Sequence, residues 1–158
     1  RSSSSGGQAR QQQRSVHDAQ QRPSNQLPKE ILPETVPEDY IDCADKIMRK
    51  LNSDLNSKQK LTTSKIRKLL SLVSWIYDIE RLRTEPELTK ESITGIGMMR
   101  IRTAYETQRD DATRIFIKEA HLLEYLKGIG NSREALITFA HYMEALVAYH
   151  RYYGGKEA

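Results

Sequence analysis

Between Asn56 and Tyr77 the chain carries five bases, Lys58, Lys60, Lys65, Arg67 and Lys68, and no acid. Three of them stand in LTTSKIRKLL, residues 61–70, where a helix is expected to begin. A helix start already carries partial positive charge, so cations there work against the macrodipole. They make sense if a polyanion sits against them, since free N–H groups beside Lys and Arg form a phosphate seat. A second set, Arg102, Tyr105 and Arg109, shares one stripe of a predicted helix, with seven residues from the first arginine to the last. Two arginines flanking a tyrosine suit a phosphate backbone, with the ring free for a sugar, a base or a core contact. A third stretch, YHRYYGGK at 149–156, adds Arg151 and Lys156 beside a tyrosine row of Tyr142, Tyr149 and Tyr153.

Each feature has a plainer explanation. A basic helix face is commonly a solvated face, and a tyrosine row is commonly the polar margin of a core. Bases near a helix C-terminus complement the dipole, which accounts for Arg151 and Lys156 but not for TTSKIRK at the opposite end.

Catalytic signatures are missing. The sequence has no GxxxxGK[ST], HExxH, CxxC or GxSxG. Its four histidines are His17, His121, His141 and His150. His141 and His150 point about 180° apart on one helix, which rules out joint metal ligation. His150 faces the apolar stripe and reads as a hydrogen-bonded core histidine. The Asp110–Asp111 pair reads as a helix start. No enzyme, metal or cofactor follows from these residues.

The elements that must position the bases come next. In 158 residues, 37% are hydrophobic and 29% charged, with net charge +4 and pI about 9.2. This permits an anionic partner without requiring one. The single cysteine, Cys43, cannot close an internal disulfide, so no oxidising compartment is indicated. No apolar run approaches the roughly 20 residues of a membrane span, and no signal-peptide pattern is seen.

Residues 1–35 read as a disordered polar tail, poor in large apolar residues, whose opening RSSSSGG suits a cloning remnant. From 36 to 158 the periodicity is helical. The first helix carries Tyr40, Ile41, Ala44, Ile47, Met48, Leu51 and Leu55. The second starts at Thr63 as N-cap and has two apolar stripes: Ile66, Leu69, Leu70, Val73 and Tyr77, then Leu72, Trp75, Ile76 and Ile79. One core cannot easily face both, so the second stripe is expected to meet a neighbouring helix or another subunit. Gly95 and Gly97 weaken the third helix until about Met98. A fourth runs from Asp110 to the glycines at 128 and 130, and a fifth starts at Ser132. The expectation is an all-α bundle of about five helices.

LTTSKIRKLLSLV, then YETQRDD at 105–111, then YHRYYGGK resembles the small subunit of type III-A (Csm-type) CRISPR effector complexes, over roughly residues 38–156. The resemblance implies a non-catalytic, all-helical, cytoplasmic subunit of an antiviral ribonucleoprotein. Its partners would be guide RNA and target RNA, the backbone and large subunits, and neighbouring copies of itself. It would line the groove where guide and target pair, through backbone contacts that read no sequence. The RNA-binding residues would be Thr63, Lys65, Arg67, Lys68, Tyr105, Arg109 and Arg151, to which the stripe argument adds Arg102. Gln108 stands where the family usually has a small residue. Leu72, Trp75, Ile76 and Ile79 would serve as subunit interface. The competing reading is a protein–protein interaction bundle whose bases are merely solvated. A continuous basic stripe would favour RNA, and bases paired with acids would favour the plain bundle.

Overall fold

A computed structural model describes residues 27–54 and 61–157. Leu55, Lys58 and Lys60 lie outside the described residues, as do 1–26 of the tail. The described residues form α1 (Tyr40–Asp54), α2 (Thr63–Glu80), α3 (Lys90–Glu106), α4 (Asp111–Glu119), α5 (Leu122–Ile129) and α6 (Arg133–Tyr152). The architecture is all-α. The long α6 lies against both α1 and α2, while α3 packs on α2 and α5. Phe116, Phe139, Tyr142, Met48, Ile66 and Met143 are fully buried between them.

Six helices replace the expected five because the fourth breaks. His121 adopts a left-handed conformation, φ 54°, and separates α4 from α5. Non-glycine residues are uncommon there, histidine being among the better tolerated, and neither glycine nor proline announces the break. Tertiary contacts hold it. The Tyr142 hydroxyl donates to the freed carbonyl of Ala120 at 2.9 Å, and the His121 ring meets the Glu34 carboxylate at 3.0 Å.

The third helix begins well before Met98. Thr89 caps it, accepting from the Ser92 N–H at 3.1 Å. Gly95 is there for space: a Cβ at that position would lie 2.7 Å from Trp75 Cζ2. Packing between α2 and α3 thus outweighs the low helix propensity of glycine.

A buried acid ties the far ends of these two helices together. Glu80 is fully buried and accepts from the Ser92 hydroxyl at 2.6 Å, from Arg83 at 2.6 Å and from the Thr89 N–H at 3.2 Å. Burial pushes its carboxyl up, but the hydrogen bonds from Ser92, Arg83 and Thr89 outweigh it and hold the pKa below its ordinary value.

The segment before α1 is non-helical but not detached. Lys127 donates to the Ile31 carbonyl at 2.7 Å, the Glu34 N–H donates to the Glu124 carbonyl at 3.0 Å, and Val36 packs on the core. The division at 35/36 therefore falls inside a docked segment. Gly128 allows the approach, since a Cβ there would sit 1.9 Å from the Glu34 carbonyl oxygen.

Candidate nucleic-acid interface

The three motifs are separated by up to about 90 positions, and the fold brings them to one end of the bundle. The start of α2 is capped by Thr62, not Thr63. The Thr62 hydroxyl accepts from the Lys65 N–H, and Thr63 is the first helical residue. Thr63 is buried, and its hydroxyl bonds to His150 Nδ1 at 3.0 Å. His150 Nε2 lies 2.7 Å from the Leu61 carbonyl oxygen, so Nε2 donates there and Nδ1 accepts from Thr63. Burial, with Arg151 nearby, depresses the imidazole pKa, which keeps the ring neutral. His150 is the core histidine that its place on the stripe predicts.

The C-terminal segment completes this latch. Thr63 N–H donates to the Lys156 carbonyl at 2.7 Å, Ser64 N–H to the Glu157 carbonyl at 3.1 Å, and Gly155 N–H to the His150 carbonyl at 2.8 Å. Gly155 packs on the imidazole so closely that a Cβ would meet the ring. The N–H groups expected to greet a phosphate are thus bonded to the chain's own carbonyls. Two expectations fall: Thr63 is not a surface residue, and the α2 amides are not an open anion seat. YHRYYGGK is first a structural motif, because its glycine and histidine close the bundle.

The cations themselves are on the surface. Lys65, Lys68, Leu69, Glu106, Arg109 and Asp110 line a cavity of about 270 Å³ between the start of α2 and the α3–α4 turn. Lys65 Nζ lies 3.1 Å from an Asp110 carboxylate oxygen. Lys68 Nζ lies 3.0 Å, and an Arg109 nitrogen 3.7 Å, from the same oxygen of Glu106. Arg109 is not on α3 as expected: the helix ends at Glu106 and Arg109 lies in the turn that follows. Arg102 stands one turn before Glu106 and is exposed, as are Tyr105 and Arg67. Arg67 and Arg102 form no ion pair with any described residue. Arg151, near the end of α6, pairs with Glu157 at 2.7 Å.

Asp110 is the N-cap of α4, accepting from the Thr113 N–H at 2.8 Å and the Thr113 hydroxyl at 2.9 Å. Its burial raises the carboxyl pKa. The bonds from Thr113 and Lys65 reverse this, and the net shift is downward. The helix-start reading of Asp110–Asp111 is therefore right. The pairing of these acids with the bases was not visible in the sequence, because Lys65 and Asp110 meet only through the fold.

The tyrosine row divides. Tyr142 is buried. Tyr153 is tied to α1 through its hydroxyl to Asp45, with Arg49 lying 5.5 Å over its ring. Both are core margin rather than a stacking platform. The apolar stripe on α2 divides as well. Ile76 is fully buried and Leu72 half-buried in the core, whereas Trp75 is 44% and Ile79 38% exposed. Ile76 is thus removed from the interface set: the α3 backbone at Gly95 covers it. Trp75 touches the same glycine with one edge and leaves the rest of its ring open.

Among the described residues no cluster of His, Cys, Asp or Glu could hold a metal ion, and no helix is long and apolar enough to cross a membrane.

A family model described as Csm2 Type III-A matches residues 34–156. A Streptococcus thermophilus protein described as CRISPR system Cms protein Csm2 is 42% identical over 120 residues, covering 76% of this chain and 95% of its own. A protein of the same description from Mycobacterium tuberculosis strain H37Rv is 37% identical over 122 residues, 77% of this chain and 97% of its own. One from Enterococcus italicus is 30% identical over 95 residues, 59% and 68% respectively.

Proposed function

This chain belongs to the Csm2 type III-A family, and from that premise we propose that it is an RNA-binding, non-catalytic small subunit of a type III-A CRISPR ribonucleoprotein. It lines the groove in which guide RNA and target RNA pair and touches their phosphates without reading sequence. The observation that carries the proposal is the meeting of three separated basic motifs at one end of the bundle: the first two share the cavity between α2 and the α3–α4 turn, and the third is bonded to the start of α2 through the Lys156 carbonyl. Lys65, Lys68 and Arg109 line that cavity, Arg67, Arg102 and Arg151 supply further charge on α2, α3 and α6, and exposed Tyr105 supplies a ring. Thr63 contributes through the latch and not through contact.

Paired bases are what a plain interaction bundle would show, and Lys65, Lys68, Arg109 and Arg151 are all paired. These pairs are exposed on the cationic side, and such pairs typically contribute under about 1 kcal/mol. A phosphate can therefore displace Glu106 or Glu157 at small cost, whereas Asp110 stays with Thr113 as the α4 cap. Contacts of this kind give affinity that falls with salt and carries no sequence preference. The exposed parts of Trp75 and Ile79, with Leu72 at their margin, form the surface for a neighbouring copy or another subunit.

Fluorescence anisotropy with labelled RNA across a salt series tests the proposal. Arg67→Ala and Arg102→Ala should each flatten the log–log salt slope by about one unit. Their melting should stay within about 0.5 kcal/mol of the parent. An unchanged slope in both variants would return the protein to the plain-bundle reading.

A further inference from the structure

Glu106 is the last residue of α3. An acid at a helix C-terminus is disfavoured by the macrodipole, so the helix does not explain it. Nor does folding elsewhere: among the described residues its carboxylate is engaged only by Lys68 and Arg109. One oxygen, Oε1, gathers both cations, one from α2 and one from the turn after α3. The Glu106 side chain is 16% exposed, whereas those of Lys68 and Arg109 are each 54% exposed. The acid thus sits inside the cavity and the cations stand over its mouth. A single phosphate oxygen seated there would make the same two contacts.

We propose that Glu106 is a built-in competitor for phosphate, a carboxylate that occupies the seat between Lys68 and Arg109 and sets how tightly RNA is held. This rests on the RNA-binding reading above. With Lys65, Lys68 and Arg109 against Glu106 and Asp110, the cavity carries a formal charge of +1. A nucleic-acid phosphate must displace the carboxylate from its cations before it can take its place. Asp110 cannot yield in this way, because it is committed to capping α4. Glu106 can, since it ends a helix and caps nothing. The consequence is weak binding of any single phosphate, so that retention depends on several seats being filled together.

The experiment compares the full chain with Glu106→Gln, which keeps the length and hydrogen-bonding capacity of the side chain. The probe is a fluorescein-labelled RNA duplex. At about 0.1 M salt the variant should bind roughly three- to tenfold more tightly, with a salt slope steeper by about one unit. Unchanged or weaker binding overturns the proposal, because an acid that merely positions Lys68 and Arg109 would be missed when neutralised. Lys68→Ala and Arg109→Ala separate the two layers. If they weaken binding while Glu106→Gln fails to tighten it, only the competitor role falls. If neither changes binding, the RNA reading falls and takes the competitor role with it. Should Glu106→Gln fail to fold, Glu106→Ala decides the matter: it removes the carboxylate from between Lys68 and Arg109, so tighter binding is again expected and its absence is contrary.

Discussion

Replacing His150 with alanine should strike stability and RNA binding together, because this side chain holds the end that carries the bases. The imidazole is 1% exposed and makes two hydrogen bonds, to the Leu61 carbonyl and the Thr63 hydroxyl. Its removal leaves two buried polar groups unpaired, at about 1–3 kcal/mol each, and opens space beneath Gly155. Partial relaxation and water entry make about 2–4 kcal/mol a reasonable total. For a domain of this size that is a fall in Tm of roughly 8–15 °C, measured by circular dichroism. The pH dependence has a definite sign. Burial holds the folded pKa below the ordinary 6.5, so the unfolded chain takes up a proton where the folded chain does not. The histidine's contribution is complete above about pH 6.5 and is lost as pH falls towards the folded value. The parent should therefore lose more stability than His150→Ala between pH 7 and pH 5. A loss under about 1 kcal/mol at pH 7, or parallel acid profiles for parent and variant, would refute the latch.

Three further substitutions probe the frame. Gly128→Ala places a methyl against the Glu34 backbone. It should cost about 2 kcal/mol through the lost Glu34–Glu124 and Lys127–Ile31 bonds and speed trypsin cleavage after Lys29; equal stability would mean that the segment is not docked. Gly95→Ala should push the Trp75 ring outward. With one tryptophan in the chain, a red-shifted emission is expected, whereas unchanged emission with about 1 kcal/mol of added stability would deny the contact. Glu80→Ala should destabilise by about 2–3 kcal/mol in urea titration, since it strands Ser92, Thr89 and Arg83. Because the folded Glu80 pKa is depressed, its contribution is present above the ordinary value of 4.5 and lost as pH falls through the folded one; a variant as acid-sensitive as the parent would contradict this.

The helical periodicity, the helix start at Asp110–Asp111, the cap at Ser132, the core placement of His150 and the family likeness were all legible in the sequence. They rest on local pattern, or on short motifs whose spacing survives divergence. Three features were not legible because long-range packing decides them. The break at His121 uses no helix breaker and exists because Tyr142 and Glu34 satisfy it. The early start of α3 contradicts the propensity of Gly95 and follows from the bulk of Trp75. The amides of α2 look open to anions until the C-terminal carbonyls arrive from about 90 positions away. On the α2 stripe, periodicity at 100° per residue could not tell Ile76, which is buried, from Trp75, which is half open. The burial of Glu80 is not legible either, because a charged residue is rarely fully buried and nothing local reveals the donors that make it tolerable.

Photo-crosslinking in the reconstituted effector complex, with photoreactive nucleotides in guide and target RNA and mapping by mass spectrometry, addresses the RNA contact face without inference from affinity. The account predicts crosslinks within residues 64–68 and 102–109, with Tyr105 the foremost acceptor. Crosslinks confined to α1 or to the Glu34–Val36 segment, or none on this subunit at all, would contradict it.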